Sequence, residues 1–328
     1  MSDDASAAAF SPMTNGTVPS GSHREADASE SAPPSGSHSL AEVCADLHQR
    51  VTGFLLSAPG SELVRQTQVQ TTIAIGVIEK ALQDYDFDAL SLSYNGGKDC
   101  LVLLVLYLSA LHAYYTSNPS YKFPDSIPSI YAKPPDPFPA VTSFVESSSK
   151  KYNLDLTHIS TNPGTKPTPS KARSHTSPPT TPEKQRTKND DGSESKIITF
   201  RDAFALYLSS HPSIRAIFVG TRRTDPHGQT LTHFDRTDGN WPDFMRIHPV
   251  IDWHLSEIWC FLRSPHLAAE GEEHLDYCSM YDEGYTSLGG VGDTLRNPRL
   301  KYTDEEGREG YRPAYKLTED GEERLGRE

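Results

Sequence analysis

Between Ala89 and Tyr115 a short alternating segment runs into Ser93-Tyr94-Asn95-Gly96-Gly97-Lys98-Asp99-Cys100 and then into a long apolar run. Leu90 and Leu92 alternate with Ser91 and Ser93 at period two, which predicts a strand. Leu101 through Tyr115 is too long and too uniformly apolar for an ordinary strand and predicts a helix. The Asn95-Gly96-Gly97 turn then falls at a helix N-terminus. There, unpaired backbone amides and the positive dipole end make an anion site, and glycine lets a phosphate approach the main chain. Lys98 adds a mobile cation. Asn-Gly is also the strongest short hairpin signal, but no second alternating strand follows it.

The rest of the chain sets this unit in context. It has 328 residues, of which 25 are proline, and a hydrophobic share of 35%, which predicts one packed domain with unpacked tails. A net charge of −13 argues against nucleic-acid binding, which relies on clustered Lys and Arg. The four cysteines, Cys44, Cys100, Cys260 and Cys278, form no Cys-x-x-Cys pair and fit a reducing compartment. The acidic N-terminus shows neither a secretion nor an import signal. The apolar run near Leu101, interrupted by Ser109 and His112, is short for a membrane span. A soluble, cytoplasmic, monomeric protein without membrane contact is the expectation.

Residues 1–38, rich in Ser, Ala, Gly and Pro, cannot offset their ordering entropy and read as a disordered tail. Ser39-Leu40-Ala41-Glu42 has capping-box spacing, and Leu40, Val43, Leu47, Val51 and Phe54 follow at helical intervals. A second helix is expected from Ser61 to about Gln83. Beyond the loop unit come a strand at Ser129–Tyr131, a helix over Phe138–Tyr152 and a strand over Leu154–Ile159. Thr161–Lys196 breaks the pattern, with seven Lys or Arg against four Asp or Glu, and reads as a disordered insertion. Its functional alternative is a basic docking segment. A helix at Thr199–Ser209 and a buried strand at Ile214–Val219 resume the order. Strands alternating with helices predict an α/β fold, a doubly wound and mostly parallel sheet, whose ligands bind beyond the carboxyl ends of the strands.

Two further segments carry candidate chemistry. Gly220-Thr221-Arg222-Arg223-Thr224-Asp225-Pro226 follows a buried strand and sets two guanidiniums beside a carboxylate, although an exposed turn capped by Asp225 would read the same way. Arg236-Thr237-Asp238-Gly239-Asn240-Trp241-Pro242-Asp243-Phe244-Met245-Arg246 joins polar and aromatic groups. Trp241 could stack on a planar ring while Asp238 accepts ring N–H bonds, or the tryptophan could be core. Ile258, Trp259, Phe261 and Leu262 read as core. The 13 histidines show no metal-ligand spacing, so no zinc is expected.

The first loop lacks the Ser or Thr that a Walker A motif needs after its lysine, and it is not Gly-x-Gly-x-x-Gly. It resembles instead the pyrophosphate loop of ATP pyrophosphatases, which usually read Ser-Gly-Gly-x-Asp-Ser and cleave ATP between the α and β phosphates. Five segments in order, Ser93–Cys100, Gly220–Pro226, Arg236–Arg246, Gly284–Pro298 and Tyr311–Arg327, are similar to those of the eukaryotic FAD synthase family. These are FMN adenylyltransferases whose domain belongs to the phosphoadenylylsulfate reductase group. The resemblance covers roughly Leu40–Arg327 apart from the insertion. It implies an adenine nucleotide alpha hydrolase type of sheet with extra N-terminal helices and an irregular C-terminal segment.

It also implies a reaction in which the FMN phosphate attacks the α phosphorus of ATP, giving FAD and pyrophosphate with Mg²⁺. Ser93, Asn95, Gly96, Gly97 and Lys98 would hold the ATP phosphates, and Asn95 and Asp99 would organise the metal. Gly220 and Thr221, with the strand end near Ile130, would contact adenosine. Asp225 would support the reacting centre. Asp238, Gly239, Asn240, Trp241 and Arg246 would receive FMN, and Arg324 and Arg327 would neutralise the transferring group. A transient contact with riboflavin kinase or apo-flavoproteins is the corresponding partner expectation. The rival readings are a non-catalytic flavin or nucleotide sensor and a sulfonucleotide reductase. The latter needs a C-terminal cysteine nucleophile, and no cysteine follows Cys278.

Overall fold

The structure, a computed structural model, describes residues 38–162 and 198–327. The expected tail, apart from His38, and most of the expected insertion lie outside the described residues. The expected helices form as α1 (Leu40–Leu56), α2 (Glu62–Asp84), α3 (Lys98–Ser117), α4 (Pro139–Lys151) and α5 (Phe200–Ser210), and the expected core residues Ile258, Trp259, Phe261 and Leu262 lie buried on a further helix, α6 (Leu255–Leu262). The Ser39–Glu42 capping box is made in both directions, the Glu42 N–H donating to Ser39 Oγ and the Ser39 N–H to Glu42 Oε2. The buried stripe of α1 is Leu40, Cys44, Leu47, Val51 and Phe54, with Val43 only half-buried.

Strands β1 (Leu90–Ser93), β2 (Ile127–Lys133), β3 (Leu154–Ser160), β4 (Ala216–Phe218), β5 (Phe234–Arg236) and β6 (Met245–Ile247) make one sheet in the order β3-β2-β1-β4-β6-β5. All neighbours are parallel except β5 and β6. The order reverses between β1 and β4, the switch point at which such sheets open a crevice. Side chains alternate across the sheet. Leu90, Leu92, Tyr131, Ala216 and Phe218 join the core under α1, α2, α3, α4 and α6, whereas Ile130 and Ile217 join Phe204 and Tyr207 of α5 on the other face. Ser91, pointing the same way, meets Tyr207 hydroxyl to hydroxyl at 2.8 Å.

Helix α3 is long and apolar enough by length and composition to cross a membrane. In this fold it is the central helix, buried continuously from Leu101 to Leu111. The start of the expected insertion is itself paired: Thr161 continues beside β2 through its N–H to Lys133 O, and Asn162 bridges to Ile198. Asn162 and Ile198, the described residues on either side of 163–197, therefore meet at the carboxyl edge of the sheet. Periodicity missed β5 and β6, three residues each inside a polar stretch, and a hairpin of β7 (Lys301–Thr303) and β8 (Glu309–Tyr311) in the C-terminal segment.

Candidate active site

The two predicted loops leave adjacent parallel strands at the switch point. Ser93 ends β1, Asn95 is exposed, and Gly96 takes a φ of +74° with no room for a side chain, because a Cβ would come within 2.8 Å of Val145. Only glycine suits that position. Across the crevice Gly220 lies against α3, where a Cβ would meet Cys100 Sγ at 2.9 Å and its backbone N at 3.0 Å. The two loops therefore pack main chain against main chain.

The amides at the start of α3 are not vacant, as the sequence suggested. Gly97 N–H donates to Asn95 Oδ1 and Lys98 N–H donates to Tyr281 Oη, each at 2.9 Å. Both acceptors are neutral. An anionic phosphate is the stronger acceptor and can take these amides in exchange.

The Lys98 side chain also differs from the expected mobile cation. It is 2% exposed, with Nζ bonded to Asp99 Oδ2 at 3.0 Å and to Glu323. Arg222, equally buried, reaches the same carboxylates from the second loop. Its Nε lies 2.7 Å from Asp99 Oδ1 but off the hydrogen-bonding axis, its Nη1 meets Asp320 at 3.1 Å, and its Nη2 meets Glu323. Burial alone would favour neutral groups here. The Arg222 and Lys98 charges nevertheless hold Asp99 below the ordinary carboxylate range, and Asp99 and Glu323 hold both cations above their ordinary values. This buried quartet ties three segments together: the phosphate loop, the second loop and the C-terminal tail.

Asp225 is the carboxylate left beside the quartet. Its Oδ2 accepts the Arg222 N–H at 2.9 Å and its Oδ1 lies 3.9 Å from Arg324 Nη1. Burial, and then the Asp99 charge, push its pKa up. Arg223 turns outward to Asp252 and to the carbonyls of Gln229 and Leu231, fixing the loop rather than facing the crevice.

Neither Asn95 nor Asp99 fits the Mg²⁺ role that the resemblance assigns. Asn95 Oδ1 serves Gly97, both Asp99 oxygens face cations, and among the described residues no group of three or more His, Cys, Asp or Glu is arranged for a metal.

A cavity of about 230 Å³ opens at the carboxyl edge of the sheet between Asn95, Tyr131, Phe200, Gly289 and Arg327. Arg327 Nη1 donates to Asp293 Oδ1 at 3.1 Å and to Thr294 Oγ1, beside Gly289, where any Cβ would collide with the guanidinium. Ile130 does not line this cavity. Its side chain faces the α5 core, and the strand meets the cavity through Tyr131 and Ala132. Asp238, Gly239, Asn240, Trp241 and Arg246 do not line it either. Residues 237–244 connect antiparallel β5 to β6 at the amino end of the parallel strands, and Asn240 and Trp241 turn back on Asp238 O. Trp241 is 39% exposed and packs edge-on 6.4 Å from the ring of Phe200, which links that hairpin to the cavity. A larger cavity of about 530 Å³, around Phe87, Tyr114 and Tyr121, lies at the opposite edge, away from both loops.

Sequence reasoning missed Glu323, Asp320 and Tyr281 as site-building groups and did not separate Arg222 from Arg223. An acid in an acidic tail carries no local signal, and only the fold shows which arginine turns inward. Cys278 is fully buried with its thiol pKa raised by burial, unsuited to the nucleophile of a reductase.

A phosphate loop at the switch point of a mostly parallel sheet defines an adenine-nucleotide-handling α/β protein. Residues 89–296 match the phosphoadenosine phosphosulfate reductase domain family. A probable FAD synthase of Schizosaccharomyces pombe is 36% identical over 274 residues, covering 84% of each chain. The flavin adenine dinucleotide synthase of Saccharomyces cerevisiae is 32% identical over 221 residues, covering 65% of this chain and 60% of its own. The fold superposes with a TM-score of 0.70 and 27% identity on Candida glabrata FMN adenylyltransferase in complex with FAD and inorganic pyrophosphate, covering 88% of this chain and 99% of that one. The chain belongs to the phosphoadenosine phosphosulfate reductase domain family and, within it, to the FAD synthases.

Proposed function

We propose that this enzyme transfers AMP from ATP to the phosphate of FMN, giving FAD and pyrophosphate. The observation that carries the reading is that Asn95 of the phosphate loop and Arg327 of the tail line one cavity, while Arg324, three residues before Arg327, lies 3.9 Å from Asp225 beside the buried quartet. It is supported by the likeness to an FMN adenylyltransferase solved with FMN and an ATP analogue, at a TM-score of 0.69 and 26% identity.

In this reading an FMN phosphate oxygen attacks the α phosphorus, the bond to the β-phosphate bridge breaks, and pyrophosphate leaves on the loop at the start of α3. A helix terminus contributes only about 0.3–1 kcal/mol per nearby charge, so the loop alone cannot hold a triphosphate. Arg324 and Arg327 supply the remaining protein charge, because Lys98 and Arg222 are committed to Asp99 and Glu323. Catalysis is then positioning and charge neutralisation without a covalent enzyme intermediate. Gly220 and Thr221 after β4, together with Tyr131 and Ala132 at the end of β2, take the adenosine part. The Asp238–Trp241 hairpin and Arg246 take the flavin, with Phe200 leading from Trp241 to the cavity. Mg²⁺ belongs to the reading as an ion brought on the ATP phosphates, with no side chain of this chain assigned to it.

Incubating the protein with ATP, Mg²⁺ and FMN tests the reading. FAD and pyrophosphate should appear in equal amounts, whereas orthophosphate release, adenylylation of another acceptor, or flavin binding without turnover would overturn it.

A further inference from the structure

The tail that carries Arg324 and Arg327 is a 3₁₀ segment, Asp320–Gly326, held down with little apolar contact of its own: Leu325 is 50% exposed. What holds it is charge and hydrogen bonding. Asp320 accepts the Leu255 N–H at the start of α6 at 2.7 Å, contacts His254 Nδ1 at 2.6 Å and pairs with Arg222. The Glu323 carbonyl accepts Thr286 Oγ1–H, the Glu322 carbonyl accepts Asn297 Nδ2–H at 2.8 Å, and the Gly326 carbonyl accepts the Leu295 N–H at 2.7 Å. At the centre the Glu323 carboxylate, 5% exposed, sits between Lys98 and Arg222.

We infer that Glu323 is a positioning residue for the transfer reaction, delivering Arg324 and Arg327 to the crevice by closing the buried quartet. The inference rests on the proposed adenylyl transfer. With Asp99 alone opposite them, Lys98 and Arg222 carry two buried positive charges against one negative charge, and burial makes that imbalance costly. Glu323, facing both cations, and Asp320, 3.1 Å from Arg222, supply the missing negative charge, and both can do so only with the tail docked. Docking in turn fixes the next residue, Arg324, 3.9 Å from Asp225, and sets Arg327, four residues on, against Asp293 and Thr294 beside Asn95. The same carboxylate thus neutralises the two cations beneath the phosphate loop and aims two others at the substrate. One consequence is separable from general stability: the effect of Glu323 on turnover must pass through the arginines.

The test uses the full chain with Glu323→Gln, Arg327→Ala and the double variant. Hydrogen exchange at the Leu295 amide, bonded to the tail carbonyl of Gly326, reports docking without reference to activity. Glu323→Gln should speed that exchange at least tenfold and lower kcat by about 100-fold, the scale of losing one preorganised donor. Adding Arg327→Ala to it should cost less than about threefold more, because residues acting as one unit are not additive. Fully multiplicative losses, or wild-type exchange with wild-type kcat, would overturn the inference. Should Glu323→Gln fail to fold, Asp320→Asn, at a more accessible anchor, must speed the same exchange and lower kcat in the same proportion; unchanged exchange there also overturns it. If the wild-type chain makes no FAD, the proposed function fails, and the exchange data alone then decide whether Glu323 anchors the tail.

Discussion

The hydroxyl of Tyr281 accepts the backbone N–H of Lys98 at 2.9 Å, across 183 positions of sequence, and so caps the phosphate loop from the C-terminal half of the chain. Tyr281 is 1% exposed, so removing the hydroxyl leaves a buried amide without an acceptor. Such an orphan costs about 1–3 kcal/mol. Tyr281→Phe should lower the unfolding free energy by that amount in urea titrations while leaving the KM for ATP unchanged or lower, since the freed amide becomes available to phosphate. A raised KM with unchanged stability would show that the phenol itself contacts substrate.

The close approach of Gly220 to α3 gives a steric expectation. A methyl group there meets Cys100 N at 3.0 Å and Cα at 3.1 Å as well as Sγ, and backbone cannot yield as a side chain can. Gly220→Ala should cost about 1–3 kcal/mol of stability by overpacking. It should also lower turnover, because the second loop shifts relative to the first. Cys100→Ala in the same chain should recover only part of either loss; full recovery in thermal melts and kcat would place the conflict at the sulfur alone.

How far these features were legible beforehand follows from which interactions are local. The strand, loop and helix around Ser93–Asp99 have strong periodicity and a glycine pair between them, so the strand-loop-helix unit could be read directly. The three-residue strands β5 and β6 have no period to detect and exist because β4 offers Met245–Ile247 a partner edge. Lys98 was misplaced for an electrostatic reason. A lysine after a glycine loop reads as a solvent-facing cation unless a buried acid awaits it, and that acid, Glu323, comes from 225 residues away.

Asp225 shows the trade between stability and function. Its pKa is raised in the fold, so the fold disfavours its charged form. A raised carboxyl pKa means that the folded state binds protons more readily than the unfolded chain. Stability from this group is therefore fullest at low pH and is lost as pH rises from about 4 through the folded value. At neutral pH the ionised Asp225 is a net cost, offset only in part by the Arg222 N–H and guanidinium, with Arg324 no nearer than 3.9 Å. Asp225→Asn should hold or raise the melting temperature at pH 7.5 and lower kcat by about 100-fold. A variant that loses stability but keeps its turnover would remove Asp225 from the reacting centre.

His248 supplies the opposite sign. It ends the run of β6 beside Arg246, is 1% exposed, and has only the Val219 backbone near its ring nitrogens, without good hydrogen-bond geometry. Burial, followed by the Arg246 charge, pushes its pKa down to about 4, with Asp235 acting against the shift and His233 with it. A depressed imidazole pKa means that the unfolded chain binds the proton first. Stability should therefore fall as pH drops from about 6.5 to about 4, by about 3 kcal/mol over the window. Carboxylates held low, such as Asp99 and Asp320, add their own losses only at the acid end of that range and below it. His248→Asn should flatten the melting temperature between pH 6.5 and 5 relative to the parent chain, because the other histidines titrating there are common to both proteins. Parallel curves for the two proteins across that interval would mean that the imidazole is protonated in the fold at its ordinary pH, with a counter-charge supplied by Asp235.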